Sequence, residues 1–134
     1  MRWFCPFCWT ELKDDVTKFC PKCKNDLTSF SNLSFEDKLL LSLKNPVSQN
    51  RRFVIECLGN LKSQKAVNIL CKMLFEKRDL YELMEIANAL FKINTRLSIE
   101  CLHKFINFTT NKILKHYISN LLNKESKIKD ENFK

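Results

Sequence analysis

Four of the seven cysteines form two matched pairs near the start of the chain. Each pair encloses two residues, the first of which is proline, and eleven residues separate the pairs: the cysteines are Cys5, Cys8, Cys20 and Cys23. This spacing lets both sulfurs of a tight turn bind one ion, and two such turns complete a tetrahedral site of four thiolates. Because the site leaves no ligand position for water, we expect one structural zinc ion rather than a catalytic metal. An iron tetrathiolate uses the same ligands and stays open as the alternative.

The segment around these cysteines is too short to bury a core of its own, so metal binding and folding should be one event. We expect its aromatic side chains to pack around the ion or against the next domain. The alternative is that they form an exposed platform that contacts a partner or stacks on bases. The aromatic residues are Trp3, Phe4, Phe7, Trp9 and Phe19.

Residues 1–28 resemble the zinc ribbon family, whose knuckles commonly read Cys-Pro-x-Cys-Gly. Trp9 and Lys24 stand where that glycine is usual. The resemblance implies a structural metal held by four cysteines. It implies no particular activity, since ribbons serve in transcription, translation and scaffolding.

The composition indicates that helices make up the rest of the chain. The 134 residues are 45% hydrophobic and 28% charged, which is globular, and they include one glycine and three prolines. All-β folds use many such turn residues, and dinucleotide or phosphate-binding loops need several glycines. The sequence therefore excludes Rossmann and P-loop chemistry and favours helices joined by short loops.

Residues 29–34 are a small polar stretch and the expected linker, and residues 35–123 predict six helices. Capping residues mark four of the helix starts, and the second and sixth helices are expected over 48–60 and 111–123. The tail, 124–134, is charged and expected to fray. The predicted caps are Ser34, Ser63, Asp79 and Thr95, and the predicted apolar stripes include Phe53, Leu61, Leu97 and Ile113.

Apolar positions recur at a spacing of 32 residues, which predicts stacked helix pairs, an α-solenoid. Small Cys57 matches small Ala89, as expected where two helices approach closely. The matched apolar pairs are Val54 and Ile86, Leu58 and Leu90, Leu61 and Ile93, Val67 and Ile99, Leu70 and Leu102, and Leu74 and Ile106.

On these residues the chain resembles the HEAT-like repeat family, in the short form first named from phycobilin lyases. Arg51 takes the family's helix-start arginine and Gly59 its helix-end glycine. The next repeat has Leu83 and Phe91 at those positions. The resemblance implies a mainly α fold, with a short solenoid of about six helices after the ribbon. It specifies architecture rather than activity.

The sequence predicts that the protein is not an enzyme. Deoxyhypusine hydroxylase, a relative of this architecture, binds iron through His-Glu pairs, whereas His103 and His116 are followed by Lys104 and Tyr117. A nucleophilic cysteine would need a base nearby, and Cys71 matches His103 across the repeat. We nevertheless expect reduced, structural thiols outside the metal site. The acidic residues are expected on solvated helix faces; they include Glu56, Glu82, Glu85 and Glu100.

The surface is the remaining candidate for function. The net charge of +8 and pI of about 9.2 favour nucleic acid or acidic protein surfaces as partners. Lys72 and Lys104 occupy matched positions 32 residues apart and predict a basic trough, with ordinary solvated lysines as the alternative. The predicted partner-binding residues are Lys72, Lys104, Lys65, Asn68, Arg51 and Arg52.

We therefore expect a protein–protein adaptor or scaffold, with no small-molecule substrate. Binding of DNA or RNA through the ribbon and the basic surface is the alternative. The first residues lack the apolar run of a signal peptide, and the longest apolar runs are far short of the roughly 20 residues of a membrane-spanning helix. The expected location is the cytoplasm.

Overall fold

The computed structural model describes the backbone of residues 1–132 and the side chains of residues 1–124; Phe133 and Lys134, the end of the predicted tail, lie outside the described residues. The described chain is mainly helical, as predicted, with a two-stranded sheet near its start. It divides into two compact units, Met1–Val54 and Ile55–Lys134. None of the described helices combines the length and apolar character needed to cross a bilayer.

The elements follow the chain in a simple order, with seven α-helices among the described residues. A 3-10 turn at Gln64–Ala66 precedes α4. The elements are β1 Trp3–Phe4, β2 Glu11–Leu12, α1 Thr28–Ser31, α2 Phe35–Ser42, α3 Ser48–Asn60, α4 Val67–Leu74, α5 Leu80–Ile93, α6 Arg96–Phe108 and α7 Lys112–Asn132.

In the first unit, the small sheet is covered by aromatic side chains. β1 and β2 are antiparallel, with Trp3 opposite Leu12. The Trp3 ring is buried and meets Phe30 and Phe35 edge to face, with ring centroids 6.1 and 5.8 Å apart. Because Phe30 and Phe35 belong to α1 and α2, these helices pack directly on the sheet.

Helix α1 lies where the sequence predicted a linker, 29–34. Phe30 at its centre is buried. Lys38 of α2 is 5% exposed; its ammonium donates to an Asp15 carboxylate oxygen at 2.9 Å and lies 5.8 Å from the centre of the Phe30 ring. The cysteine-rich segment (residues 1–27) and helices α1 and α2 therefore share one small core.

In the second unit, two pairs of residues 32 positions apart share the same environment. Leu58 and Leu90, matched in the repeat, are both fully buried. Lys62 and Asn94, also 32 apart, end α3 and α5 in the left-handed region, with φ of 53° and 52°. In addition α4 packs on α5 and α6, and α5 packs on α6 and α7. Helices thus contact both the next helix and the one after it.

Three of the predicted caps accept a backbone hydrogen bond. Ser34 accepts from the Asp37 N–H at 3.1 Å and Asp79 from the Tyr81 N–H. Thr95 accepts from Ser98, whose hydroxyl accepts in turn from the Thr95 N–H, which completes a capping box. Ser63 occupies the predicted cap position, but its hydroxyl makes no capping bond.

Gly59 of α3 lies very close to Ala89 of α5. A Cβ atom added at Gly59 would lie 2.9 Å from the Ala89 Cα, closer than real side chains approach backbone. The absence of a side chain at Gly59 therefore allows the close approach of α3 and α5.

Several predicted positions are wrong because each helix turns a slightly different face to the core. Glu82, predicted on a solvated face, is fully buried and accepts from the Arg78 guanidinium at 3.0 Å. Ile55, absent from the predicted stripe, is fully buried. Four predicted stripe residues are instead about half or more exposed: Phe53, Leu61, Leu97 and Ile113.

Candidate metal centre

Two backbone turns of the same geometry present the four cysteines. In the first, the Trp9 N–H donates to the Cys5 carbonyl at 2.7 Å; in the second, the Lys24 N–H donates to the Cys20 carbonyl at 2.9 Å. Trp9 and Lys24 have φ of 61° and 65°, in the left-handed region. That region favours glycine, which explains why ribbon knuckles commonly carry glycine at this position. The two departures from the ribbon pattern therefore keep the turn geometry.

Backbone and side-chain donors surround the sulfurs. The Phe7 N–H donates to the Cys5 sulfur and the Cys23 N–H to the Cys20 sulfur, both at 3.4 Å. The Asn25 side-chain amide donates to the Cys23 sulfur at 3.2 Å. Hydrogen bonds to a sulfur favour its thiolate form, which is the form that binds metals.

The sulfur positions fit a single ion. The Sγ atoms of Cys5 and Cys23 lie 3.7 Å apart, and those of Cys8 and Cys20 lie 3.6 Å apart. All four sulfurs lie within 4.8 Å of one another. A zinc tetrahedron with Zn–S bonds of about 2.3 Å has edges of about 3.8 Å. The four cysteines can therefore hold one metal ion, as the spacing predicted.

The environment gives the thiols different acidities. Burial raises the pKa of Cys5 to about 11. Hydrogen bonding to the Thr10 side chain and backbone lowers the pKa of Cys8 to about 6. The N–H of Cys23 lowers the pKa of Cys20. Burial therefore opposes the thiolate form of Cys5, whereas hydrogen bonding favours the thiolate forms of Cys8 and Cys20.

Some aromatic residues of this segment are buried, as expected for packing, and others are exposed, as expected for a binding platform. Trp3 is buried against α1 and α2. Phe7 and Phe19 are 62% and 61% exposed, which leaves two aromatic rings on the surface near the metal site.

Four of the six predicted partner-binding residues lie exposed in the second unit. Lys65 is in the 3-10 turn, Asn68 and Lys72 are on α4, and Lys104 is on α6. Because α4 packs on α6, we call this set the α4–α6 surface.

The other two predicted residues, Arg51 and Arg52, belong to the first unit and are half-buried in α3. The Arg51 guanidinium donates to the carbonyl of Asn45 at 2.8 Å. Since Asn45 is itself buried, Arg51 fixes the start of α3.

The expectation of reduced thiols outside the metal site is wrong for two cysteines. Cys71 of α4 and Cys101 of α6 are joined by a disulfide, with Cα atoms 6.0 Å apart. Sequence reasoning paired Cys71 with His103, the position 32 residues on, and His103 is exposed. The available signal was that Cys71 and Cys101 are 30 residues apart, close to the 32-residue spacing of the matched apolar positions.

Comparisons with known proteins add no family to these observations. No protein-family model matches the chain, and no curated protein or solved structure matches it.

Proposed function

We propose that this protein is a non-enzymatic interaction module that binds an acidic protein partner through the α4–α6 surface. A zinc-bound ribbon and a short HEAT-like array form its scaffold. The observation that carries the proposal is the exposed, matched placement of Lys72 and Lys104 on two helices that pack together.

Zinc is the ion that we assign to the four cysteines. A closed site of four thiolates, built from two C-x2-C turns, is the arrangement of structural zinc. Iron is the alternative for the same ligands, and metal analysis of the purified protein distinguishes the two. Zinc would tie the two turns together and supply order that a small core lacks.

The second unit is proposed to be a HEAT-like solenoid. Contacts between alternate helices, α4 with α6 and α5 with α7, support two stacked rows. The matched left-handed residues Lys62 and Asn94 support a repeated unit of 32 residues. Stacked helix pairs create extended surfaces that bind partners, rather than enclosed pockets.

The charges of the α4–α6 surface favour an acidic partner. Helix α4 contains no acidic residue. The one acidic residue of α6, Glu100, is paired with Arg96 at 3.1 Å. Lys72 and Lys104 therefore present positive charge with little compensation on their own helices, which would steer an acidic helix or tail toward this surface.

A charge-reversed double variant, Lys72→Glu with Lys104→Glu, tests the surface. Both side chains are exposed, so we expect unchanged helical circular dichroism and a stability change within about 0.5 kcal/mol. The tagged variant should fail to retain a protein that the wild type retains at equal stoichiometry from nuclease-treated extract of its own cells.

The matched control is Lys112→Glu with Lys115→Glu, which makes the same charge change at exposed positions of α7. The control should retain the partner, because its positions lie outside the α4–α6 surface. Equal retention by all three proteins would contradict the proposed surface.

Nucleic-acid binding is the second candidate function. It is favoured by the exposed rings of Phe7 and Phe19, which could stack on bases, and by the net charge of +8. Binding of this kind weakens steeply with salt, because phosphate contacts release counterions. Retained material that disappears on nuclease treatment, together with a steep salt dependence, would favour this function over the adaptor.

A further inference from the structure

The disulfide between Cys71 and Cys101 joins two helices that are not neighbours in the sequence. The two residues are 30 positions apart, and the whole of α5 lies between them. Their Cα separation of 6.0 Å falls within the range of about 4.4–6.8 Å found for natural disulfides. The bond therefore links the second helices of two successive repeats without requiring the backbone to move.

The two cysteine residues differ in their exposure to solvent. Cys101 is 3% exposed, whereas Cys71 is only half-buried. On the same helix faces, Asn68 precedes Cys71 by three residues and Lys104 follows Cys101 by three, a spacing that places side chains next to each other. The disulfide thus lies beside the α4–α6 surface, and Cys71 is the more exposed of its two cysteines.

We propose that Cys71 and Cys101 form a reversible thiol–disulfide pair that controls how firmly α4 is held to α6. This inference does not depend on the proposed partner. In the reduced protein the two helices keep their apolar contacts but lose the covalent link between them. In the oxidised protein the link limits how far α4 and α6 can separate.

A small thiol such as glutathione supplies the electrons for the reduction. Its thiolate attacks the Cys71 sulfur, the S–S bond breaks, and Cys101 leaves as a thiolate that takes a proton. A second glutathione thiolate then attacks the mixed disulfide, which releases Cys71 and glutathione disulfide. The reverse reaction, with glutathione disulfide as oxidant, removes two electrons and two protons from the two cysteines.

The other cysteines are less suited to this exchange. Burial, with a smaller contribution from the Glu56 charge, raises the pKa of Cys57 and so lowers its thiolate fraction. The four sulfurs of Cys5, Cys8, Cys20 and Cys23 are grouped where a bound metal would occupy them. The disulfide pair is therefore the expected redox-active site of the metal-bound protein.

The test is a redox titration of the full-length, zinc-loaded protein in buffers of varied glutathione to glutathione disulfide ratio. Samples are quenched with acid, alkylated, and analysed by peptide mass spectrometry. We expect Cys71 and Cys101 to pass together, and reversibly, from unlabelled to labelled in one two-electron transition. The Cys57→Ser control should show the same midpoint, and in Cys71→Ser the thiol of Cys101 should be labelled once glutathione is in excess.

Two results would overturn the reversible pair. One is labelling of both cysteines at every ratio, including excess glutathione disulfide, which would mean that no bond forms. The other is a bond that persists in excess glutathione while the protein stays folded, which would mean a permanent crosslink.

Hydrogen exchange of the wild-type protein, compared between its reduced and oxidised states, tests whether the disulfide holds α4 to α6. It requires no substitution. Amides of α4 and α6 should exchange severalfold faster in the reduced protein, while those of residues 1–27 should be unchanged. Equal exchange of α4 and α6 in the two states would refute the structural role of the pair.

Discussion

The two compact units of this chain bury their apolar residues in different ways. In the first unit, buried side chains such as Trp3 and Leu12 lie on strands of only two residues, near four grouped sulfurs. In the second unit, buried leucines and isoleucines follow one another along helices of 8 to 14 residues, from α4 through α6. Order in the cysteine-rich segment should therefore depend on a metal, and order in the helices on packing.

The comparison also separates two uses of cysteine within one chain. Paired cysteines two residues apart bring four sulfurs to one point through local turns. Cys71 and Cys101 meet only because two distant helices pack together. The local spacing can be read from the sequence, whereas the second arrangement depends on how two distant helices pack together.

Removal of the metal should have the largest effect, and it should be confined to the first unit. Cys5→Ser or Cys20→Ser should abolish the structure of residues 1–27, since structural zinc contributes about 10–16 kcal/mol in zinc-finger peptides. Both tryptophans of the chain, Trp3 and Trp9, lie in this segment, so a red shift of tryptophan emission reports its loss. Acidification should give the same result, because protons compete with the metal for four thiolates.

Helical circular dichroism is the second signal in that experiment. Most of it should persist in Cys5→Ser, because the longer helices belong to the second unit. Cys57→Ser, which leaves the four ligands intact, is the matched control and should keep both signals. Loss of tryptophan order and helicity together would show that the two units fold as one.

Truncation of the core should have an intermediate effect, confined to the second unit. Leu90 of α5 is fully buried, and Leu90→Ala should lower the free energy of unfolding by about 2–5 kcal/mol, because it leaves a cavity among packed helices. Leu97→Ala is the control, since Leu97 is 61% exposed and should change stability by about 0.5 kcal/mol or less. Denaturant unfolding followed by circular dichroism measures both, and similar losses for the two variants would contradict a packed helical core.

Substitution of Gly59, where α3 and α5 approach closely, should have the smallest effect on stability. In Gly59→Ala the new Cβ would press on Ala89 from 2.9 Å, which overpacks the crossing by about 1–3 kcal/mol. Alanine regains about 1 kcal/mol of helix propensity, so we expect a net loss of stability of no more than about 2 kcal/mol by thermal unfolding. His116→Ala, at an exposed position of α7, should show no loss. A Gly59→Ala protein more stable than the wild type would mean that the helices separate easily there.

Much of this architecture follows from short-range signals. The helix predicted over 48–60 is observed with those bounds as α3, and Thr95 caps α6 as predicted. Helix α1 was missed because Thr28–Ser31 is a single turn in a polar stretch, and its one buried residue, Phe30, is fixed by Trp3 from elsewhere in the unit. Such a short helix is marginal without tertiary packing.

The buried carboxylate shows a second limit. Glu82 sits three residues after the cap Asp79, the pattern of a capping box, but its carboxylate pairs with Arg78 in a fully buried position. A prediction from periodicity places charged residues in solvent. The pattern does not show that a partner can offset the cost of burying the charge.

By itself, the sequence determined the grouping of Cys5, Cys8, Cys20 and Cys23 and the mainly helical character of the rest of the chain, because both depend on residues close together along the chain. Only the tertiary structure decided which face of each helix is buried and that Cys71 meets Cys101. The physical reason is that turn geometry and helix periodicity are set locally. The rotation of one helix against another is set instead by close packing of all their side chains at once.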